Sequence, residues 1–221
     1  MDEAEDLAED LIAGWPSLAG GSPASLEVAA DLAARWAEPH RRYHTTAHLR
    51  AVLEAITPLA AYAADPVAVR LAAWFHDAVY DGVPGQDEER SARLALRLLP
   101  RCDVPPPRVD ETARLVRLTA THDPEEGDAN GAVLCDADLA VLASPGYDGY
   151  ARAVREEYRH VPDDAFRAGR AAVLRRLLAA PRLYRTATAH DLWEATARAN
   201  LAAELAALSG PSAAADPTPP A

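Results

Sequence analysis

Apolar side chains recur at helical spacing along most of this chain, and helix-capping residues separate the apolar segments. In SPASLEVAADLAARWAEP, Ser22 is placed to cap a helix whose first position is Pro23. In TTAHLRAVLEAI, Leu49, Val52 and Ile56 fall on one stripe. The pattern therefore predicts amphipathic helices in this part of the chain.

The same pattern continues through the rest of the sequence. Asp65 and Pro66 are placed to start a helix that runs through LAAWFHDAVY and stops near Asp81-Gly82. Further helices are predicted at 87–99, 108–120, 131–142, 146–159, 163–179 and 188–208, and no segment alternates as a strand does. We expect an all-α, single-domain helical bundle with at least seven helices.

The ends of the chain differ in composition from the middle. Residues 1–20 are predicted to form an N-terminal helical extension, and residues 21–208 are predicted to form the domain. The tail SGPSAAADPTPPA is small and Pro-rich, so residues 209–221 are predicted to be disordered.

Composition and charge narrow the functional class. The chain has 221 residues, of which 49% are hydrophobic, and its formal net charge is -12. That charge disfavours a broad nucleic-acid surface, although arginine, the only cationic residue type present besides histidine, suits a local pocket for a small phosphorylated ligand.

Location and covalent chemistry are constrained by three further features. No segment approaches the roughly 18–20 apolar residues that span a bilayer. The acidic start MDEAEDLAED is unlike a secretory or mitochondrial leader, and Cys102 and Cys135 match no Cys-x-x-Cys pattern. We expect a cytoplasmic protein with no membrane partner; the sequence does not determine its oligomeric state.

One predicted helix carries an adjacent histidine and aspartate, His76 and Asp77, in otherwise apolar surroundings. An ionised carboxylate there costs several kcal/mol unless something pairs with it. His44 and His48 lie four residues apart, so they share one face if both are helical. A divalent cation between these segments would neutralise the carboxylate and use the neutral imidazoles.

A third segment offers further carboxylates. Asp136 and Asp138 interrupt the apolar stretch VLCDADLAVL, and His122 precedes it in LTATHDP. The predicted metal ligands are His48, His76, Asp77 and Asp138. Two choices stay open, His44 against His48 and Asp136 against Asp138, while the histidines in polar surroundings are expected at the surface: His40, His160 and His190.

The order of a histidine, a His-Asp pair and a distant aspartate resembles the HD-domain superfamily of metal-dependent phosphohydrolases, and more narrowly its small stand-alone bacterial members. The motifs that carry the resemblance are RRYHTTAHL (41–49), AAWFHDAVYD (72–81), DEERSA (87–92), DADLAVL (136–142), VREEYRHV (154–161) and WEATARANLAAEL (193–205). They lie between about residue 35 and about residue 207. The resemblance implies an HD-type bundle in which His48, His76, Asp77 and Asp138 bind the metal.

The resemblance also implies the chemistry. Metal-activated water attacks phosphorus directly, and Asp77 bridges or holds that water. Charge on the phosphoryl oxygens needs cationic donors, for which Arg41 and Arg42 are the nearest candidates. More distant candidates, each compatible with a solvated helix face, are Arg155 and Arg170. Glu88 is expected near the pocket mouth.

We therefore expect an enzyme, a phosphomonoesterase or phosphodiesterase that acts on a small phosphorylated metabolite or nucleotide. The ligand types permit Mn, Fe, Co, Ni, Mg or Zn. One alternative is an HD-fold mixed-valent di-iron oxygenase, with extra ligands from His44, His122 and Asp136. Another is a nucleotide-binding regulator with little turnover.

Overall fold

Helices are the regular elements of residues 3–83 and 85–209, the part of the chain that this computed structural model describes; this part contains no β-strand. The all-α prediction is therefore confirmed. The α-helices are α1 (Glu3–Gly14), α2 (Pro16–Ala19), α3 (Pro23–Trp36), α4 (Thr46–Leu59), α5 (Pro66–Phe75), α6 (Gln86–Leu98), α7 (Pro106–Leu118), α8 (Ala129–Asp138), α9 (Tyr147–Glu157), α10 (Asp163–Ala179) and α11 (Ala187–Ser209).

The central helix of the bundle is α5, which packs against α4, α7 and α8. Its residues from Leu71 to Phe75 are all buried, because neighbouring helices cover every side of this segment. The indole Nε1 of Trp36 donates to the carbonyl oxygen of Trp74 at 2.9 Å, which ties α3 to α5. The fold thus fixes the last turn of α5 in the interior.

The helix predicted through LAAWFHDAVY ends earlier than expected. Helix α5 ends at Phe75. The N–H of His76 still donates to the carbonyl oxygen of Ala72 at 2.8 Å, but the chain after His76 forms a turn. The hydroxyl of Ser91 on α6 accepts from the N–H of Val79 at 3.0 Å. This side chain gives the backbone a partner outside the helix, so the helical ladder does not have to continue.

Asp87 on α6 extends the same arrangement. Its Oδ2 accepts from the N–H groups of Asp81 and Val83 at 2.9 and 2.8 Å. The loop after α5 is therefore held by two side chains of the next helix. This arrangement keeps His76 and Asp77 at the end of α5, where the chain leaves the core.

The N-terminal segment is helical, and it belongs to the same hydrophobic core as the rest of the chain. Leu11, Trp15 and Ala19 are buried in that core, and the rings of Trp15 and Trp74 meet edge to face at 5.1 Å. Ser209 is the last residue of α11, and the remainder of the predicted disordered tail lies outside the described residues.

Two further expectations concern the whole chain. In residues 3–83 and 85–209, no helix combines the length and the apolar character needed to cross a membrane. Cys102 and Cys135 are both buried free thiols.

Candidate metal centre

Three helices deliver three side chains to one point. His48 lies in the first turn of α4, His76 follows the last residue of α5, and Asp138 is the last residue of α8. Because α4, α5 and α8 pack against one another, these helix ends meet inside the bundle. One nitrogen from each histidine and one oxygen from Asp138 lie within 4.8 Å of one another.

The distances in this group are those of atoms that point at a common position. His48 Nε2 lies 3.3 Å from His76 Nε2 and 3.1 Å from Asp138 Oδ1. His76 Nε2 lies 3.6 Å from the same oxygen. The side chains of His48 and His76 are 4% and 1% exposed, which removes them from competing water.

The tautomer of His76 favours a metal ligand. Its Nδ1 lies 2.8 Å from the carbonyl oxygen of Ala73, to which it donates, so Nε2 carries the free lone pair in the neutral ring. Two imidazole nitrogens that face each other at 3.3 Å need a proton or a cation between them. The donor set, two imidazoles and a carboxylate, fits a divalent transition metal.

Electrostatics point the same way. Burial lowers the pKa of His48 below its ordinary value. Burial also opposes a charge on His76, but the carboxylates of Asp77 and Asp138 outweigh it and raise the pKa of His76 well above the ordinary value. Two carboxylates therefore lie beside the two buried imidazoles, and their negative charge favours a cation at this point.

Asp77 lies at the edge of the group. Its Oδ2 is 3.1 Å from His76 Nε2 and 3.9 Å from His44 Nε2, and its side chain is 16% exposed. Burial opposes its ionised form, yet the neighbouring His76 lowers the pKa of Asp77 to about 2. Asp77 thus lies beside the three-residue group and outside it, and its role as a fourth metal ligand stays a prediction.

Aromatic rings form the wall behind the histidines. The ring of Trp36 lies 5.3 Å from that of His76, and the ring of Tyr43 lies 4.7 Å from those of both His48 and His44. The phenol of Tyr43 is buried, which raises its pKa well above the ordinary value. This wall keeps the imidazoles in a low-dielectric setting.

Glu157, at the end of α9, is a residue that the sequence reasoning missed. Its Oε2 accepts from the N–H groups of Arg42, Tyr43 and His44 at 2.7, 3.0 and 3.2 Å, and its Oε1 lies 2.5 Å from His44 Nδ1. Burial opposes its charge, but these partners lower the pKa of Glu157 well below its usual range. The motif VREEYRHV contains Glu157, but no pattern of neighbouring residues indicates that its side chain accepts from the backbone of residues 42–44.

The choice between the two aspartates of α8 is decided by their directions. Asp136 is buried, and its two oxygens accept from the backbone N–H groups of Arg185 and Thr186, each at 2.7 Å. Asp138 instead faces His48 and His76. The structure therefore places Asp138 in the group and gives Asp136 a role in holding the loop before α11.

His44 and His122 lie next to the group, and each approaches a different carboxylate. His44 approaches Asp77, as described above, and His122 Nε2 lies 2.7 Å from Asp138 Oδ2. Of the two histidines left open for the first position, His48 is thus the one within the three-residue group.

Arg41 does not present a free guanidinium group, as a phosphoryl-binding role would require, whereas Arg42 is exposed and only its Nη1 is engaged by the described residues. Arg41 is buried, and its Nη1 donates to the carbonyl oxygens of His44 and Asp77 at 3.1 and 2.7 Å. Arg42 Nη1 donates to the carbonyl oxygens of Pro39 and Arg41. A phosphoryl group would have to compete with the carbonyls that hold Arg41, so Arg41 is better described as a brace for the loop after α5. The phosphoryl-binding role of Arg42 stays a prediction.

The remaining candidates are also engaged in structural contacts. Glu88 accepts from the N–H of Gly85 at 2.6 Å, so it caps the start of α6. Arg170 makes two bonds to Glu204, at 2.8 and 2.9 Å, and Arg155 pairs with Asp163. Each of these three side chains, which the sequence analysis considered for substrate binding, is therefore engaged by a partner within the protein.

Comparisons of the chain with protein-family models, curated proteins and solved structures give no match. The family resemblance therefore stays a prediction.

Proposed function

We propose that this protein is a metal-dependent hydrolase that cleaves a phosphoester bond of a small phosphorylated metabolite or nucleotide. The observation that carries the proposal is the convergence of His48, His76 and Asp138 from three helices within 4.8 Å, with Asp77 beside them. Two imidazoles and carboxylates are a donor set that leaves positions free for water and substrate on a six-coordinate ion. The motif order described above supports the same reading.

A bound divalent cation would lower the pKa of a water molecule and polarise a phosphoryl oxygen. His48 and His76 would hold the ion through their Nε2 atoms. Asp77, ionised and partly exposed, is positioned to accept a hydrogen bond from the attacking water. The aromatic wall of Trp36 and Tyr43 excludes other water from the imidazoles.

The test combines metal analysis with a substrate panel. The purified protein is expected to contain a divalent metal in elemental analysis. It is also expected to hydrolyse at least one member of a panel of nucleotides, phosphomonoesters and cyclic phosphodiesters when supplied with Mn²⁺, Co²⁺, Ni²⁺, Mg²⁺ or Zn²⁺. A metal-loaded protein that is inactive across the panel would overturn the proposed hydrolysis.

Asp77→Asn is the matched variant for the role of this carboxylate. We expect kcat to fall by at least about 100-fold, because the amide is a poor acceptor for the water proton. Asp81→Asn is the control, since Asp81 lies in the same loop but is exposed and pairs with Arg90. Equal activity of the two variants would exclude the proposed role of Asp77.

A second candidate, a di-iron oxygenase, is favoured by the two flanking histidines. His122 Nε2 lies 2.7 Å from Asp138 Oδ2 of the group, and His44 Nε2 lies 3.9 Å from Asp77 Oδ2 beside it. This function predicts about two irons per chain, oxygen consumption and a mixed-valent EPR signal. The hydrolase predicts activity without oxygen and with the redox-inert ions Mg²⁺ or Zn²⁺.

A further inference from the structure

Beyond the ligands themselves, one histidine next to the metal centre has an unusual backbone conformation. His122 has a φ of 53°, and Asp103 is the other non-glycine residue with positive φ among the described residues. His122 ends the turn after α7, where its N–H donates to the carbonyl of Leu118 at 3.0 Å. Glycine is the usual residue at such a left-handed helix end, because it has no Cβ to clash.

The imidazole of His122 explains why a strained residue stands there. Its Nε2 lies 2.7 Å from Asp138 Oδ2, and the ring is 23% exposed. The other oxygen of the same carboxylate, Oδ1, is the one that faces His48 and His76. His122 therefore engages one oxygen and leaves the other free to bind.

This contact removes a specific freedom of Asp138. The terminal torsion of an aspartate is broad, so an unrestrained carboxylate would rotate Oδ1 away from the two histidines. Asp138 is the last residue of α8, and a 3₁₀ turn at Leu139–Ala143 follows it directly. A hydrogen bond from His122 to Oδ2 fixes the plane of the carboxylate.

We propose that His122 is a positioning residue, held in a left-handed conformation so that its imidazole orients Asp138 for metal binding. The proposal rests on the proposed metal centre, and it assigns His122 a contact to the ligand rather than to the ion. Backbone strain persists where surrounding contacts stabilise it, and at His122 that contact is the hydrogen bond to Asp138.

Three substitutions separate the strain from the imidazole. His122→Gly removes the imidazole and relaxes the backbone, whereas His122→Ala removes the imidazole and keeps the strain. His122→Gln keeps the strain and supplies an amide N–H at about the distance of Nε2 from the backbone. Metal-free protein, prepared with EDTA, is titrated calorimetrically with Mn²⁺ and, separately, with Zn²⁺, and its thermal unfolding is recorded.

We expect the Gly and Ala variants to lose affinity for the metal by about 10–100-fold, while the Gln variant stays within about threefold of the wild type. We also expect the metal-free Gly variant to unfold about 2–4 °C above the Ala variant. A purely structural role would make metal affinity follow stability, so the Gly variant would bind better than the Ala variant.

The outcomes separate this proposal from the function. If the wild type binds the metal and all three variants bind it as tightly as the wild type, the positioning role is wrong and the metal centre stands. If Gln binds no better than Ala, the hydrogen bond to Asp138 is not what His122 provides, and the proposal fails. If the wild type binds neither Mn²⁺ nor Zn²⁺, both the metal centre and this role are wrong.

Discussion

The Nε2 atoms of His48 and His76 face each other at 3.3 Å inside the bundle, across 28 residues of sequence. His76 is fixed in this orientation by the bond from its Nδ1 to the carbonyl oxygen of Ala73. Two buried ring nitrogens at this distance are stabilised by a shared proton or by a cation. Asp138 Oδ1 lies 3.1 Å from His48 Nε2, so the three side chains together are a candidate metal centre.

Asp138→Asn and Asp136→Asn are expected to have opposite effects. The first should weaken metal binding by at least about 100-fold and leave the fold intact, because it removes a charged ligand. The second should keep the metal but lower the free energy of unfolding by about 1–3 kcal/mol, because an amide cannot accept from both the Arg185 and Thr186 N–H groups.

Calorimetric titration with Zn²⁺ and chemical denaturation of the metal-free proteins measure the two effects. Loss of metal in the Asp136 variant together with its retention in the Asp138 variant would reverse the assignment of the closing ligand.

Metal binding should stabilise the folded chain. At a free metal concentration of about 100 times Kd, the free energy of unfolding should rise by about 2.7 kcal/mol, which corresponds to about 5–10 °C in Tm. EDTA should reverse the shift, as differential scanning calorimetry can record. The Asp138→Asn protein is the control, and an equal shift in that variant would mean that the metal binds elsewhere.

Glu157→Ala should loosen the turn before α4. Its side chain is 4% exposed and accepts from the N–H groups of residues 42–44, so the substitution should cost about 2 kcal/mol. Hydrogen exchange should show faster exchange of these amides. Glu156→Ala is the matched control, since Glu156 is exposed and pairs with Arg159 at 3.1 Å. Unchanged exchange in the Glu157 variant would contradict the role of this carboxylate.

The buried ion pair between Arg170 and Glu204 should make stability depend on pH. Their side chains are 10% and 13% exposed, and Tyr147 also donates to Glu204. Burial opposes the charge of Glu204, but Arg170 outweighs it and lowers the pKa of Glu204 below its usual value of 4.5. A lowered carboxyl pKa adds stability that is full above the unfolded pKa and is lost as pH falls through the folded pKa.

Glu204→Gln should therefore cost roughly 3 kcal/mol at pH 7, because the Arg170 charge loses its partner. The difference in Tm from the wild type should narrow below about pH 4.5. Glu54→Gln is the control, because Glu54 pairs with Arg50 on the surface, where ion pairs contribute less than about 1 kcal/mol. A difference that stays constant down to pH 3 would exclude the pair as the cause.

Local sequence determined the helices and where several of them begin. Ser22 accepts from the N–H of Ser25 at 3.2 Å, and Asp65 accepts from those of Val67 and Ala68 at 3.1 Å, as the capping patterns predict. These features depend on residues within one helical turn of each other, so they can be read from the chain alone. The ligand candidates were found for a similar reason, because charged groups are costly in an apolar segment.

The tertiary structure decided which candidates face the centre. Asp136 and Asp138 lie two residues apart on α8 and point to different sides of it, so the rotation of α8 against α4 and α5 selects Asp138. Glu157 reaches residues 42–44 across more than 110 positions of sequence, and Arg41 donates to the carbonyl oxygen of Asp77 in the loop after α5. Such contacts depend on how distant helices pack, and no local pattern of residues encodes that.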